Sequence, residues 1–375
     1  MLFTVILFVV ILGLLVFVHE LGHFLMAKKS GVQVDEFGFG FPPRLFGIKY
    51  KGTLYSINWI PLGGFVKIKG VVGEEENPEV YKDANSFARK KYWQKALILL
   101  AGVIMNLVLA VVLLSIGFMI GSPTIIDDQV ATSGSRVRNQ AVQVSAVHEG
   151  FGAASFDIQP GDKVVTLDGA AVTSAAFVQE YNASRVGQTV HLVFDRAGQN
   201  LAYDIPISRF DDGRGVLGLS LLDTGLVSYP WYRAIWLGFL NTFGFLAAIF
   251  VALFGLLRAL FTSGSVGAEL AGPIGIAALT GQAARLGISY VLQFTAILSI
   301  NLAIFNILPI PALDGGRLLF VTIERIRRKQ NSEKIEGLAH RIGFALLLTL
   351  VVIVTFRDIG RYGGAIVSFF KGLFS

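Results

Sequence analysis

Apolar and polar positions divide the chain into two kinds of stretch. Residues 1–27, 96–120, 233–262 and 288–308 are long apolar runs, each sufficient to cross or lie in a hydrocarbon layer about 30 Å thick, and 341–356 is a shorter fifth. Residues 142–207 instead alternate in runs separated by turn residues, which predicts strands, with a helix near 174–183. Between the first two apolar runs, "EFGFGFPPRLFGIKYKGTLYSINWIPLGGFVKIKG" interleaves short β-like runs with Gly and Pro and reads as hairpins. The expected fold is a polytopic α-helical membrane protein of about four transmembrane helices. A β element lies within 28–95 and one α+β domain is inserted over 125–210.

Composition agrees with that pattern. Of 375 residues 53% are hydrophobic and 30 are Phe, at a mean hydropathy of +0.63, far above an ordinary soluble domain. The chain has no Cys, so disulfides and thiolate metal sites are excluded and any metal must be held by imidazole and carboxylate. Residues 1–17 lack the basic start and the small-residue cleavage site of a secretory signal, so 1–27 is expected to persist as a first span. No aromatic-interleaved basic patch suggests nucleic acid as a partner.

Charge orients the chain. Residues 28–95 carry 12 Lys and Arg against 7 Asp and Glu, whereas 121–232 carry 7 against 12. The positive-inside rule puts 28–95 in the cytoplasm and 121–232 outside, with "RIRRKQNSEK", Arg325 to Lys334, inside again. An even number of crossings must then separate the outer domain from 288–308. "GSVGAELAGPIGIAALTGQAARLG", 264–287, is rich in Gly and polar groups, so 233–262 is expected along the surface or oblique. A five-span arrangement stays open.

Within the first span stands "VHELGHFLMA", Val18 to Ala27. An ionisable side chain at the bilayer centre costs at least about 2.5 kcal/mol, so two His and a Glu there require a purpose. Histidines at i and i+4 share one helix face, and HExxH at this spacing makes His19 and His23 candidate zinc ligands with Glu20 as the general base. His19 lies about 27 Å from the outer end of the helix at 1.5 Å per residue, near the cytoplasmic margin. A catalytic zinc takes three protein ligands, and His148, His191 and His340 are poorly placed. Asp314 in "NILPIPALDGGRLLF" is the best third candidate. The span before it ends at the same depth as the first, Pro309 and Pro311 break helical hydrogen bonding, and Gly315–Gly316 permit a tight reversal.

HExxH in the first span together with "NILPIPALDGG" resembles the site-2 protease family of intramembrane zinc metalloproteases. The order of parts resembles its bacterial branch, which includes the regulator of sigma-E protease. "GFGFP" (38–42), "PLGGFVKI" (61–68), "AGVIMN" (101–106) and "AGPIG" (271–275) support the likeness. The resemblance implies zinc held by His19, His23 and Asp314, Glu20 as catalytic acid/base, and Asn306 holding the substrate backbone or developing oxyanion. It implies hydrolysis of peptide bonds in transmembrane segments of single-span membrane proteins, pre-cleaved by another protease, as in regulated proteolysis of anti-sigma factors or remnant signal peptides. The location implied is the bacterial cytoplasmic membrane, with the active site towards the cytoplasmic side.

"DIQPGDKVVTLDGAAV", 157–172, is similar to the turn and strands of a PDZ domain of this family, placed extracytoplasmically. The chain has room for one, whereas the enterobacterial relative carries two, and "HEGFGAASFDI" departs from the usual Ser-Pro-Ala-rich turn. Capture of a substrate terminus and size filtering both remain open as its role. The resemblance implies that the β element within 28–95 is membrane-associated; a helical substrate must be unwound before cleavage, and an exposed strand there could pair with it by β-addition. Two other classes compete: a membrane-anchored PDZ scaffold with a structural zinc, and a metal transporter. The intact Glu20 speaks against the first and the otherwise apolar spans against the second.

Overall fold

The computed structural model describes residues 2–71, 80, 83–126, 135–196, 198–262, 272–329 and 331–373. The segment 263–271, with Ala271 of "AGPIG" and the first part of the polar stretch 264–287, lies outside them. The chain divides into two compact units, residues 1–115 with 235–375, and residues 116–234.

The first unit starts with α1 (Leu2–Lys29), followed by β1 (Val34–Tyr50) and β2 (Thr53–Ile68), then α2 (Tyr92–Ile120). Residues 36–39 of β1 pair on one side with 64–67 and on the other with 54–57, and 54–57 pair in turn with 46–49. The two long strands thus fold on themselves into a four-strand sheet with residues 64–68 along one edge. Its far end exposes Leu45, Phe46, Ile48 and Trp59. The expected β element is present.

Small residues let the helices meet. A Cβ on Gly22 of α1 would stand 2.3 Å from the Ala101 carbonyl oxygen of α2, a separation no real side chain tolerates. In a bilayer, where lipid is as apolar as Leu, close backbone approach of this kind supplies the packing that water-driven burial cannot. Ala27, Val34, Ile68, Ile98, Leu99 and Val321 form a buried cluster at the C-terminal end of α1.

Beyond the second unit come α4 (Trp231–Thr262), α5 (Pro273–Leu286), α6 (Ile288–Ile307), α7 (Asp314–Arg327) and α8 (Glu333–Leu373). Gly281 of α5 sits against Thr4 of α1, and the start of α5 is held by Asp358 of α8, whose carboxylate accepts the Gly275 N–H at 2.7 Å. Ser299 of α6 donates to the Asn106 carbonyl of α2 at 2.8 Å. Among the described residues five helices are long and apolar enough to cross a membrane: α1, α2, α4, α6 and α8. The helix beyond the expected four is α4, the segment whose crossing the sequence leaves open. Gly238 of α4 packs on Ser115 of α2, but 11% of its apolar window is buried against 50% for α2. The C-terminal stretch from Arg357 continues α8 as helix to Leu373.

In the second unit, β3 (Ser122–Ile125), β4 (Arg136–Val147), β5 (Lys163–Leu167), β6 (Ala170–Ala171), α3 (Ala175–Ala183), β7 (Thr189–Arg196) and β8 (Gln199–Pro206) precede β9 (Ser208–Arg209), β10 (Gly215–Val216) and β11 (Leu219–Ser228). The main sheet runs β3-β11-β4-β5-β7-β8, with β6 on β5 and a separate β9–β10 pair. Val144, Leu167, Leu192, Phe194 and Ile205 fill its core, and the Ser174 hydroxyl caps α3 by accepting the Phe177 N–H. The unit reaches past the expected 125–210: β11 inserts between β3 and β4. Its sequence, "LSLLDTGLVS", alternates loosely and interrupts with Asp223 and Gly225, so only the pairing with Arg136–Val147 about 80 residues earlier identifies it as a strand.

Buried Asp162 receives two hydrogen bonds from Arg196, which also donates to Asp157. Burial pushes the Asp162 carboxyl up, but the Arg196 guanidinium and the Gln159 N–H outweigh it, so it titrates below the ordinary carboxylate range. Its contribution is complete above about pH 4 and lost as pH falls through the depressed value. Arg196→Gln should lower the stability of this unit and flatten that acid dependence, measured as resistance of 116–234 to limited proteolysis against pH. In the first unit, Gly22→Val should cost about 1–3 kcal/mol by overpacking, seen as a lower unfolding temperature of the purified chain.

Candidate metal centre

The apolar residues of α1 bury His19 and His23 at 6% exposure each, on the face that meets α2. They can sit there because α2 presents Gly102: a Cβ would fall 2.5 Å from His23 Nε2 and 2.6 Å from His19 Cε1. From the other side comes Asp314 at the start of α7. Its Oδ2 lies 3.0 Å from His19 Nε2 and 3.3 Å from His23 Nε2, and the two Nε2 atoms are 3.1 Å apart. Ligands bound tetrahedrally at about 2.0–2.1 Å are separated by about 3.3 Å, so this triangle has the dimensions of one face of a zinc site. Three electron-rich atoms this close repel one another unless positive charge sits among them. Among the described residues this is the group of His and acidic side chains able to hold a metal.

The surroundings prepare both rings. His23 Nδ1 donates to the Ile98 carbonyl at 2.8 Å, which leaves Nε2 with its lone pair free. His19 Nδ1 meets the amide of Asn106 at 3.2 Å, and Asn106 is fully buried with its Oδ1 lacking a partner. For His19 Nε2 to face a metal, Nδ1 must hold the proton, and turning the amide so that Oδ1 accepts it satisfies the orphaned oxygen as well. The donor set, the orphaned acceptor and the glycine seat all fit a divalent cation of zinc type.

Asn306, near the end of α6, places Nδ2 3.2 Å from His19 Nε2. Glu20 lines a cavity of about 260 Å³ with His23, Asp314, Ala312 and Arg317, and Phe65 of the sheet edge forms another wall. All five residues singled out in the sequence are therefore neighbours. His148 and His191 bond within the second unit, to Ser220 and Asp204.

The turn between α6 and α7 decides where Asp314 points. The expected reversal does not fall at Gly315–Gly316, which form the first turn of α7; a Cβ on Gly315 would lie 2.2 Å from the Ile307 carbonyl oxygen and one on Gly316 2.3 Å from that of Ile310, so the two glycines let α7 start hard against the end of α6. Ala312 holds φ at +83°, costly for a residue with a Cβ, and its N–H donates to Nδ1 of His340 on α8 at 2.8 Å. Gly343 of the same helix admits the Pro311 carbonyl. Sequence reading sets His340 aside because it cannot reach the metal. It serves instead to brace the turn that carries Asp314. Asn106 and Gly102 also escape that reading, although both lie in the quoted "AGVIMN".

Comparison with known families matches residues 7–350 to Peptidase family M50. The chain belongs to peptidase family M50. A zinc metalloprotease, RasP of Geobacillus kaustophilus, is 30% identical over 446 aligned positions, covering 96% of this chain and 98% of that one. A Clostridium perfringens protein carrying a zinc metalloprotease name is 34% identical over 347 positions, 92% of this chain and 95% of its own. Among solved structures, the PDZ domain of the SdrC-like protein of Listeria monocytogenes is similar over 23% of this chain and 92% of that domain, at 27% identity and a TM-score of 0.21.

His340→Leu should weaken zinc binding by roughly ten-fold, the scale of losing a support to a metal ligand, while His340→Asn, whose Oδ1 can take the Ala312 N–H, should stay near wild type. Zinc competition with a chelator measures both. Gly102→Val should abolish stoichiometric zinc altogether, read by metal analysis of the purified chain.

Proposed function

We propose that this M50 member is an intramembrane zinc metalloprotease that hydrolyses peptide bonds in the transmembrane segments of other membrane proteins. The observation that carries the reading is the triangle of His19, His23 and Asp314 with Glu20 beside it, on a helix apolar enough to span a bilayer. Zinc held by those three atoms would supply a Lewis acid that acidifies a water and polarises the scissile carbonyl.

The remaining steps belong to the chain itself. Glu20 takes the proton of the attacking water and delivers it to the leaving amide nitrogen, within the same cavity. Asn306 directs an amide N–H at the oxygen of the scissile carbonyl, as its position beside His19 allows. Phe65, Val66 and Ile68, which border the cavity, stand on the edge strand 64–68. That edge offers an unwound substrate the backbone partners it loses on leaving its own helix.

Loop charge and the family resemblance support a location in a bacterial cytoplasmic membrane, with 28–95 on the cytoplasmic side and 121–232 outside. In the outer unit a cavity of about 290 Å³ lies between α3 and the start of β11, lined by Val178, Asn182, Phe210, Leu217 and Leu219. β3 pairs with β11 over 224–227, while 219–223 pairs with β4 on its other side. An extended chain end fits that groove in the manner of a PDZ ligand, which suits recognition of a substrate trimmed by an earlier protease.

Glu20→Gln removes the base and leaves the three candidate ligands. It should retain zinc and lose cleavage of a single-span substrate with a trimmed outer domain by roughly a hundred-fold or more. A chelator should likewise stop the wild type. Zinc-loaded wild type that cuts no such substrate would defeat the proposal and favour a scaffold with a structural metal.

A further inference from the structure

Outside the metal centre, a second group of charged side chains in the first unit lies where α2 begins and α7 ends. A cavity of about 290 Å³ there is lined by Tyr92 and Lys95 of α2 and by Glu324, Arg325, Arg328 and Lys329 at the end of α7. Glu324, the acid among them, is already engaged: it faces Lys95 at 3.5 Å and accepts the Asn331 N–H at 3.0 Å. Arg325, Arg328 and Lys329 form no ion pair among the described residues. Arg328 adopts φ +53° as the helix cap, turning the chain so that the basic residues wall a hollow.

Charge alone would be explained by the positive-inside bias, which asks for Lys and Arg anywhere in a short loop. Three further observations ask for more. The cations converge on a cavity from two helices that the Tyr92 hydroxyl joins, at 3.4 Å from Thr322 Oγ1. Tyr92 and Trp93 open a helix apolar enough to span, which puts the cavity at the water–hydrocarbon boundary where such rings settle. The ring of Tyr92 and the side chain of Val321 give the same cavity an apolar wall beside the cations. A ligand satisfying all three has a compact anionic head and an apolar tail.

We propose that this cavity binds the phosphodiester headgroup of an anionic phospholipid, with Arg325, Arg328 and Lys329 around the phosphate and the acyl chains leaving past Tyr92 along the start of α2. Arg supplies paired donors to phosphate oxygens, and basic pockets between helices at a membrane surface are suited to such headgroups. Bound lipid would tie the start of α2 to α7, the helix that opens with Asp314. The assignment does not depend on the protease reading.

The test titrates the purified full chain, stripped of lipid in detergent, with dioctanoyl phosphatidylglycerol, dioctanoyl phosphatidylcholine and inorganic phosphate, counting bound molecules by native mass spectrometry. The triple variant Arg325→Gln, Arg328→Gln, Lys329→Gln removes the pocket charge. Lys29→Gln, Lys49→Gln, Lys51→Gln removes equal charge from elsewhere in the same unit. The expected result is phosphatidylglycerol bound in preference to both other probes, weakened roughly ten- to a hundred-fold by the pocket triple and less than about two-fold by the control triple. Equal loss in the two triples would mean diffuse attraction and overturn the site. Equal binding of phosphatidylcholine, or inorganic phosphate matching phosphatidylglycerol, would overturn the lipid assignment. Should the pocket triple fail to fold, Arg328→Glu alone carries the same comparison.

Discussion

Three electron-rich atoms within 3.3 Å of one another, buried among apolar helices, set the terms for the first unit. Such an arrangement is unfavourable by itself, because each lone pair has been taken from water and faced with two others. It persists only where the backbone around it leaves no alternative placement and where a cation belongs in the middle. The lack of side chain at Gly102 makes room for the imidazoles, the Gly22 contact sets how close α1 and α2 come, and Gly315 and Gly316 let α7 start close enough to α6 to bring the carboxylate from across the unit.

The supports around that centre form a graded set. Nearest are the groups that fix protons: the Ile98 carbonyl on His23 and the Asn106 amide on His19. Farther out, His340 and Gly343 of α8 seat the turn before Asp314, and Asp358 of the same helix holds the start of α5. α8 is little buried along its apolar length, yet it touches the centre's support at one end and α5 at the other.

Much of the architecture is legible along the chain because it depends on near neighbours. Apolar runs of span length, the His19–His23 repeat of one helical turn and the Pro and Gly around Asp314 are local patterns with local physical meaning. The candidate site is legible for the same reason: its five residues fall in two short motifs whose chemistry limits what they do. β11 is not, because Asp223 and Gly225 obscure its alternation and its identity comes from pairing with β4. His340 is not, because a histidine that accepts one backbone N–H leaves no mark on its neighbours. Gly102 and Asn106 are quoted within a helical run where a small residue and an amide have many ordinary uses.

The sequence by itself determined the helices that can enter a membrane, the presence of a strand-rich insertion, and a set of donors able to bind zinc, since length, periodicity and residue chemistry act within a few turns of chain. Tertiary structure alone decided that atoms 295 residues apart close to 3.0 Å, which amide orients His19, and that the edge strand 64–68 borders the same cavity as Glu20. Those outcomes depend on which backbone surfaces can approach without a Cβ between them. That is a property of two segments together, and neither carries it alone.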